Sequence, residues 1–333
     1  MQKEHYPEID GLRTMASIGI IMMHMRANNT YVLSGFVYDR IIDSFTNFVF
    51  LFMVISAFGM CCGYLDKLLD NQISMETFYI KRYRRILPFF ALLVLLDIVI
   101  SPSTSSLAEG FADITLLFGL FPNDISVIGV GWFLGLIFAF YLIFPFFCVL
   151  LKNKRRAWGA FVVSLILNYI GGFYFGLNRT NIVYCLCYFV AGGLVYLYRE
   201  ELRTFRKKYR WVSLGLDLVS IILYYIVGSN TITMLLVSVT LLTYALGESK
   251  VLRNKFTKFF GSVSMEVYLS HMVIFRIIEK IGLNRVIGEG WLQYIVTVMA
   301  TVGGAVIFSV AVKAGLEAVG KIMSRRVAEC RQG

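Results

Sequence analysis

Apolar residues in this chain arrive in runs of about spanning length, separated by short polar breaks. The runs lie near 9–28, 45–65, 84–101, 129–151, 158–176, 181–199, 211–228, 231–247, 258–280 and 291–316. About 20 apolar residues match the hydrocarbon thickness of a bilayer, and a helix satisfies its own backbone polar groups there. The pattern predicts an all-α, polytopic membrane protein with about ten transmembrane helices, built as one integral-membrane domain over 1–333. A further apolar stretch, 107–121 (LAEGFADITLLFGLF), is shorter and carries Glu109 and Asp113. The first run does not read as a cleavable signal, because His24 and Arg26 interrupt its end and no small-residue cleavage pattern follows.

Lysines and arginines assign the sides. The linkers 66–86, 152–156, 199–210 and 248–258 hold five, four, six and four basic residues. By contrast, 102–128 and 229–230 hold none, and 177–180 holds only Arg179. Basic linkers stay in the cytoplasm. The alternation closes only if 107–121 does not cross and lies instead as a re-entrant or surface helix. Both termini then face the cytoplasm, and the expected location is the plasma membrane. The net charge of +11 becomes mostly a topology signal, so no nucleic-acid partner is needed to explain it. A chain that is 58% hydrophobic and 16% charged is also no soluble domain.

Six cysteines (Cys61, Cys62, Cys148, Cys185, Cys187 and Cys330) lie mainly within the runs, with neither a paired CxxC nor nearby histidines. They read as small apolar fillers, so no metal site and no disulfide framework is expected. Gly131 with Gly135, and Gly172 with Gly176, have spacing that lets helices approach closely.

Polar residues inside the runs carry more information. Arg13 and His24 are eleven positions apart in IDGLRTMASIGIIMMHM. Eleven steps of 100° come within roughly 20° of three full turns, so both side chains leave the helix on one face. Asp10 and Ser17 fall on the same stripe. Ionisable groups at membrane depth are costly and usually line a cavity or pathway. The plainer alternative is a snorkelling Arg13 and an interfacial His24.

Three more clusters stand out. In FYIKRYRRILP, Arg82 and Arg85 are three apart on one face, flanked by Lys81 and Arg84. That is either a positive-inside anchor or a cytoplasmic site for a polyanion, since guanidinium forks bind phosphate bidentately. In GSVSMEVYLSHMVIF, Ser264, Tyr268 and His271 share a face of the ninth run. His271 lies about as far from the cytoplasmic end of its helix as His24 does from its own, so the two imidazoles reach similar depth. Alone, His271 would be a helix-packing hydrogen bond. The third cluster, GVGWFLGLIFAFYLIFPFF, holds Trp132 and Tyr141, which suit an aromatic belt or core packing.

Taken in order, Arg13-x10-His24, Arg82-x-x-Arg85, the WFL…FYLIFP run and S-x-x-x-Y-L-x-H resemble the membrane-bound acyltransferase-3 family. The closest blocks are IDGLRTMASIGIIMMH and FLFMVISAFGM…FYIKRYRRILPFF. The resemblance implies ten helices that take acyl-coenzyme A from the cytoplasm. It implies transfer of the acyl group to a hydroxyl, sometimes an amine, of a glycan or related acceptor. His24 would then be catalytic, with Arg82 and Arg85 in the donor site. Acetyl-coenzyme A, the common donor in that family, would be a co-substrate, with no tightly bound cofactor. Two positions depart from the family pattern: Ala57 stands where VISGF has glycine, and Ile137 where many members carry Glu. The chain ends soon after its last helix, leaving no room for the extra soluble domain of some relatives.

The residues suit that chemistry. Coenzyme A joins a polyanion to a thioester through an extended arm, and the arginine cluster lies where its nucleotide would dock. Arg13 sits at the inner end of the polar stripe, supported by Asp10 and Ser17, with His24 three turns deeper and His271, Tyr268 and Ser264 facing it. An imidazole with an ordinary pKa near 6.5 can take a hydroxyl proton or accept the acyl group itself. A proton-coupled permease or carrier for a charged metabolite or lipid-linked glycan is the main alternative, although the halves show no inverted repeat. A purely structural scaffold has no use for a His–Arg stripe. Single cysteines placed at 124 and at 204 test the topology. Membrane-impermeant labelling should reach them from opposite sides; labelling from one side would overturn the assignment.

Overall fold

The computed structural model describes residues 6–100, 102–120, 129–247 and 249–330, and among these it is helical without a strand. The helices are α1 (Pro7–Asn28), α2 (Phe48–Leu69), α3 (Met75–Ile100), α4 (Thr104–Thr115), α5 (Trp132–Leu151) and α6 (Lys154–Phe175). They continue with α7 (Ile182–Leu197), α8 (Arg199–Lys208), α9 (Arg210–Val227), α10 (Thr231–Ala245), α11 (Lys255–Lys280) and α12 (Trp291–Cys330). Each of the ten expected runs falls on one of these helices. Of the stretch 107–121, the first part lies in α4, which at 12 residues is too short to cross, and Phe118–Leu120 make a single 3-10 turn, while position 121 lies outside the described residues.

By length and apolarity alone five helices qualify as spans: the continuous helix Val37–Leu69, α5, α6, α9 and Trp291–Ile322. A sixth is gained if α7 and α8, bent by 70° at their junction, count as one. The remainder have identifiable reasons for falling short. α7 and α10 are 16 and 15 residues long. α1, α3 and α11 are long enough but carry the charged stripes, Asp10 and Arg13, Arg82 and Arg85, and Glu266. α6 and α9 are apolar yet mostly exposed, with Ile166, Phe173, Leu218 and Ile226 on their outer faces. Such faces fit hydrocarbon rather than water as their solvent.

Close backbone approaches set the packing. A Cβ added to Gly11 would strike the backbone oxygen of Leu252, and one added to Gly261 would lie 2.6 Å from Asp10 Cβ. α1 therefore rides directly on α11 and on the chain leading into it. α2 and α7 meet in the same way at Gly192, where a Cβ would lie 2.8 Å from the methyl of Ala57. The small residue at this crossing is thus on the opposite helix, which is how α2 accommodates the methyl of Ala57. The 3-10 turn after α4 docks on α5 where Gly119 meets the backbone of Gly135.

A buried ion pair pins the bend after α7. Arg206 on α8 donates to both carboxylate oxygens of Asp217 on α9, at 2.6 and 2.5 Å. Its guanidinium also donates to Thr240 O and Thr243 Oγ1 on α10, each at 2.9 Å. Both partners are buried, so losing one strands a charge. Asp217→Ala should lower stability by about 3–5 kcal/mol. Replacing both partners with apolar residues of similar volume should cost far less. Thermal unfolding of the purified protein in detergent, with all three variants compared, checks both outcomes.

Candidate active site

α1 and α11 run side by side, and their packing brings two imidazoles together. The ring centroids of His24 and His271 lie 5.1 Å apart with 43° between their planes. His271 is fully buried, and His24 is half-buried. His271 Nδ1 lies 2.5 Å from the carbonyl oxygen of Tyr268, one turn back on α11. A carbonyl only accepts, so Nδ1 carries the hydrogen, and in the neutral ring Nε2 keeps its lone pair. That Nε2 is buried and has no hydrogen-bond partner.

On one side of the pair lies a cavity of about 220 Å³. Arg13 from α1, Arg82 and Arg85 from α3, Tyr141 from α5, and Ser264 and Tyr268 from α11 all contribute to its walls. Each guanidinium is positioned by neighbours. Arg13 Nη1 lies 3.3 Å from Asp10 Oδ1. Arg82 donates to the Tyr64 hydroxyl and stacks over the Tyr64 and Tyr141 rings, at 4.5 and 5.6 Å from their centroids. Arg85 Nη1 is 3.9 Å from Oε1 of the buried Glu266. Ile137 adds apolar wall. At the inner end Phe52, Phe133 and Tyr268 pack as an aromatic trio, with centroids 5.8–6.3 Å apart. Tyr268 links cavity to imidazoles: it lines the first, and its ring is 5.8 Å from that of His271. Its hydroxyl donates to Val130 O at 3.2 Å.

Near the N-termini of α5, α7 and α10 lies a second cavity, of about 510 Å³. Asn47, Phe50, Trp132, Arg179, Tyr188 and Asn230 are among its walls. Arg179 lies within electrostatic reach of His24 and of Tyr268.

The expected site residues divide. Arg13, Arg82, Arg85, Ser264 and Tyr268 share the first cavity, and His24 meets His271 beyond it. Neither imidazole is part of either cavity's wall. Lys81 and Arg84 are exposed and leave the cavity to their neighbours. Their 100° and 200° offsets from Arg82 turn them to other faces of α3. Asp10 braces Arg13 from beneath Gly261 rather than lining the cavity, and Ser17 is buried with no hydrogen bond to its hydroxyl. Three contributors were not foreseen. Glu266 had a signal, as an acid inside an apolar run. Tyr141 had one only in hindsight of Arg82. Arg179 stood out in the sequence as the single base of an otherwise bare linker.

No curated protein and no solved structure gives a match to this chain. A family model described as an acyltransferase domain, Acyl_transf_3, matches residues 6–310, nearly the whole length. With that match and the paired imidazoles beside an arginine-lined cavity, the chain belongs to the acyltransferase-3 family.

Proposed function

We propose that this protein moves an acyl group, acetyl by default, from cytoplasmic acyl-coenzyme A to a hydroxyl of a cell-surface glycan or its precursor. The observation that carries this reading is the His24–His271 pair, 5.1 Å apart, flanked by the three-arginine cavity. In this reading ten helices cross the plasma membrane with both termini in the cytoplasm, so α3 presents Arg82 and Arg85 from the cytoplasmic side. The two guanidiniums bind donor phosphates, and the apolar wall formed by Phe52, Ile86 and Ile137 accepts the arm. Lys81 and Arg84 act at longer range, by attracting the polyanion to the mouth.

Transfer balances as follows. Neutral His24 takes the acceptor hydroxyl proton while that oxygen attacks the thioester carbonyl. The new C–O bond forms, the C–S bond breaks, and the proton passes to the departing thiolate, leaving ester and free coenzyme A. A two-step route through an acyl-imidazole balances equally. His271 supports His24 with the nitrogen that Tyr268 leaves free. The aromatic trio must part for the thioester to reach the imidazoles, and closed it keeps water from the thioester.

Labelled acetyl-coenzyme A, purified protein and a mixed polysaccharide fraction test this directly. Label should enter polysaccharide and free coenzyme A should appear; a carrier would move solutes and leave the thioester intact. His24→Ala should abolish transfer with donor affinity close to wild type, and His271→Ala should reduce transfer less. Wild-type turnover in His24→Ala would overturn the catalytic assignment.

The donor site has its own test. Arg82→Ala with Arg85→Ala should weaken acetyl-coenzyme A binding by about 3 kcal/mol, on the order of a hundredfold, measured by equilibrium binding on folded protein. Unchanged affinity would return these residues to the role of a membrane anchor.

A further inference from the structure

We propose that the second cavity is the acceptor site and that it selects an acceptor bearing an anionic group, a carboxylate or a phosphate ester, close to the acylated hydroxyl. This rests on the acyl-transfer reading above and adds the charge class of the acceptor. At about 510 Å³ the cavity is larger than the arginine-lined one of about 220 Å³. Its walls hold a single charged side chain, Arg179, and no carboxylate among the described residues.

That cation is held in place without being neutralised. Arg179 Nη1 donates to Thr46 Oγ1 at 2.7 Å, and the guanidinium lies 5.6 Å from the centroid of the Trp132 ring. Neither neighbour is an anion, and among the described residues no acid pairs with Arg179. A guanidinium has five N–H donors, and one is used here, so a bidentate face remains for a ligand. Compare the arginines of the first cavity, where Asp10 and Glu266 stand beside Arg13 and Arg85.

The surroundings have the same sign. α5 and α10 begin at this cavity, through Trp132 and Thr231, and α7 begins between the wall residues Thr180 and Tyr184, so each helix start contributes partial positive charge nearby. Asn181 and Asn230 cap individual N–H groups of α7 and α10 without supplying a negative charge. Hydrogen bonds keep the frame fixed: Asn47 Nδ2 donates to Tyr224 OH at 2.9 Å, and Thr231 Oγ1 to Asn168 Oδ1 at 2.7 Å. Trp132 offers an aromatic ring, and Asn178 and Ser229 offer polar groups, a set that fits the apolar faces and hydroxyls of a sugar. Arg179 is also within electrostatic reach of His24. Topology gives no other account of this arginine, since it is the sole basic residue of its linker, on the side where basic residues are disfavoured.

The test uses the full-length protein in nanodiscs of zwitterionic lipid and three matched disaccharides: one neutral, one ending in a uronic acid, one carrying a phosphate ester. Equilibrium binding should favour at least one charged probe by about tenfold or more over the neutral one. The preference should shrink with added salt, vanish in Arg179→Gln and survive in part in Arg179→Lys. Preference for the uronic acid alone or the phosphate alone identifies which anion the acceptor carries. Equal binding of neutral and charged probes, no binding of any charged probe at millimolar concentration, or a preference that persists in folded Arg179→Gln would each overturn the proposal. The wild-type comparison decides the matter if the variants do not fold. Acetyl-coenzyme A turnover in the same nanodiscs separates the two readings. Turnover without an anion preference removes this inference alone, whereas an anion preference without thioester cleavage removes the acyl-transfer reading.

Discussion

The contact between α1 and α11 is the constraint on which the rest depends. Gly11 and Gly261 let the two backbones approach until a methyl group at either position would collide with the neighbouring helix or its lead-in. Further along the same helix pair two side chains as short as imidazole meet, at 5.1 Å. The same crossing places Asp10 beneath Gly261, from where it braces Arg13 into the arginine-lined cavity. One helix pair thus sets the position of the imidazoles and one wall of that cavity together. Interhelical packing in a membrane gains little from hydrophobicity, because lipid is as apolar as the helix. Small residues at the crossing are therefore what hold this geometry, and larger ones there would separate the rings before they unfolded the chain.

Much of this was legible in the sequence because it depends on periodicity. All ten apolar runs became helices, and 107–121 became one too short to cross. The depth match of His24 and His271 followed from counting residues along two helices of the same direction. Lys81 and Arg84 show where counting by cluster fails: a run of bases reads as one site, but a helix turns its members to different faces. Contacts between distant elements were not legible at all. Arg206 and Asp217 belonged to a basic linker and an apolar run, and nothing in either segment announced a bidentate pair between them. Glu266 was visible as an anomaly, but its partner Arg85 is far away in the chain. The count of apolar spans, five or six by composition, fell below ten partly because α7 and α10 are short and partly because α1, α3 and α11 carry the charges of the site. The helices that carry its charges are the ones that no longer look like lipid-facing helices.

Tyr268 shows how the parts are joined. Its hydroxyl is tied to Val130 O just before α5, its carbonyl oxygen receives His271 Nδ1, and its ring closes the inner end of the arginine-lined cavity. A single residue therefore fixes which His271 nitrogen is free and also stands where a donor thioester would arrive. On the acyl-transfer reading proposed above, a thioester would be lost to any water that reached an activated base, so the aromatic trio would be useful as a barrier between the arginine-lined cavity and the imidazoles. If the second cavity takes the acceptor, as proposed, it needs no such barrier, because an acceptor hydroxyl is stable in water. That asymmetry matches what surrounds the pair. The arginine-lined side has a packed aromatic trio and guanidiniums with carboxylates beside two of them. The second cavity has a larger volume and an exposed Arg179 that no acid pairs with among the described residues. On the two proposals above, the imidazoles would stand between a side that holds a reactive group dry and a side that stays open.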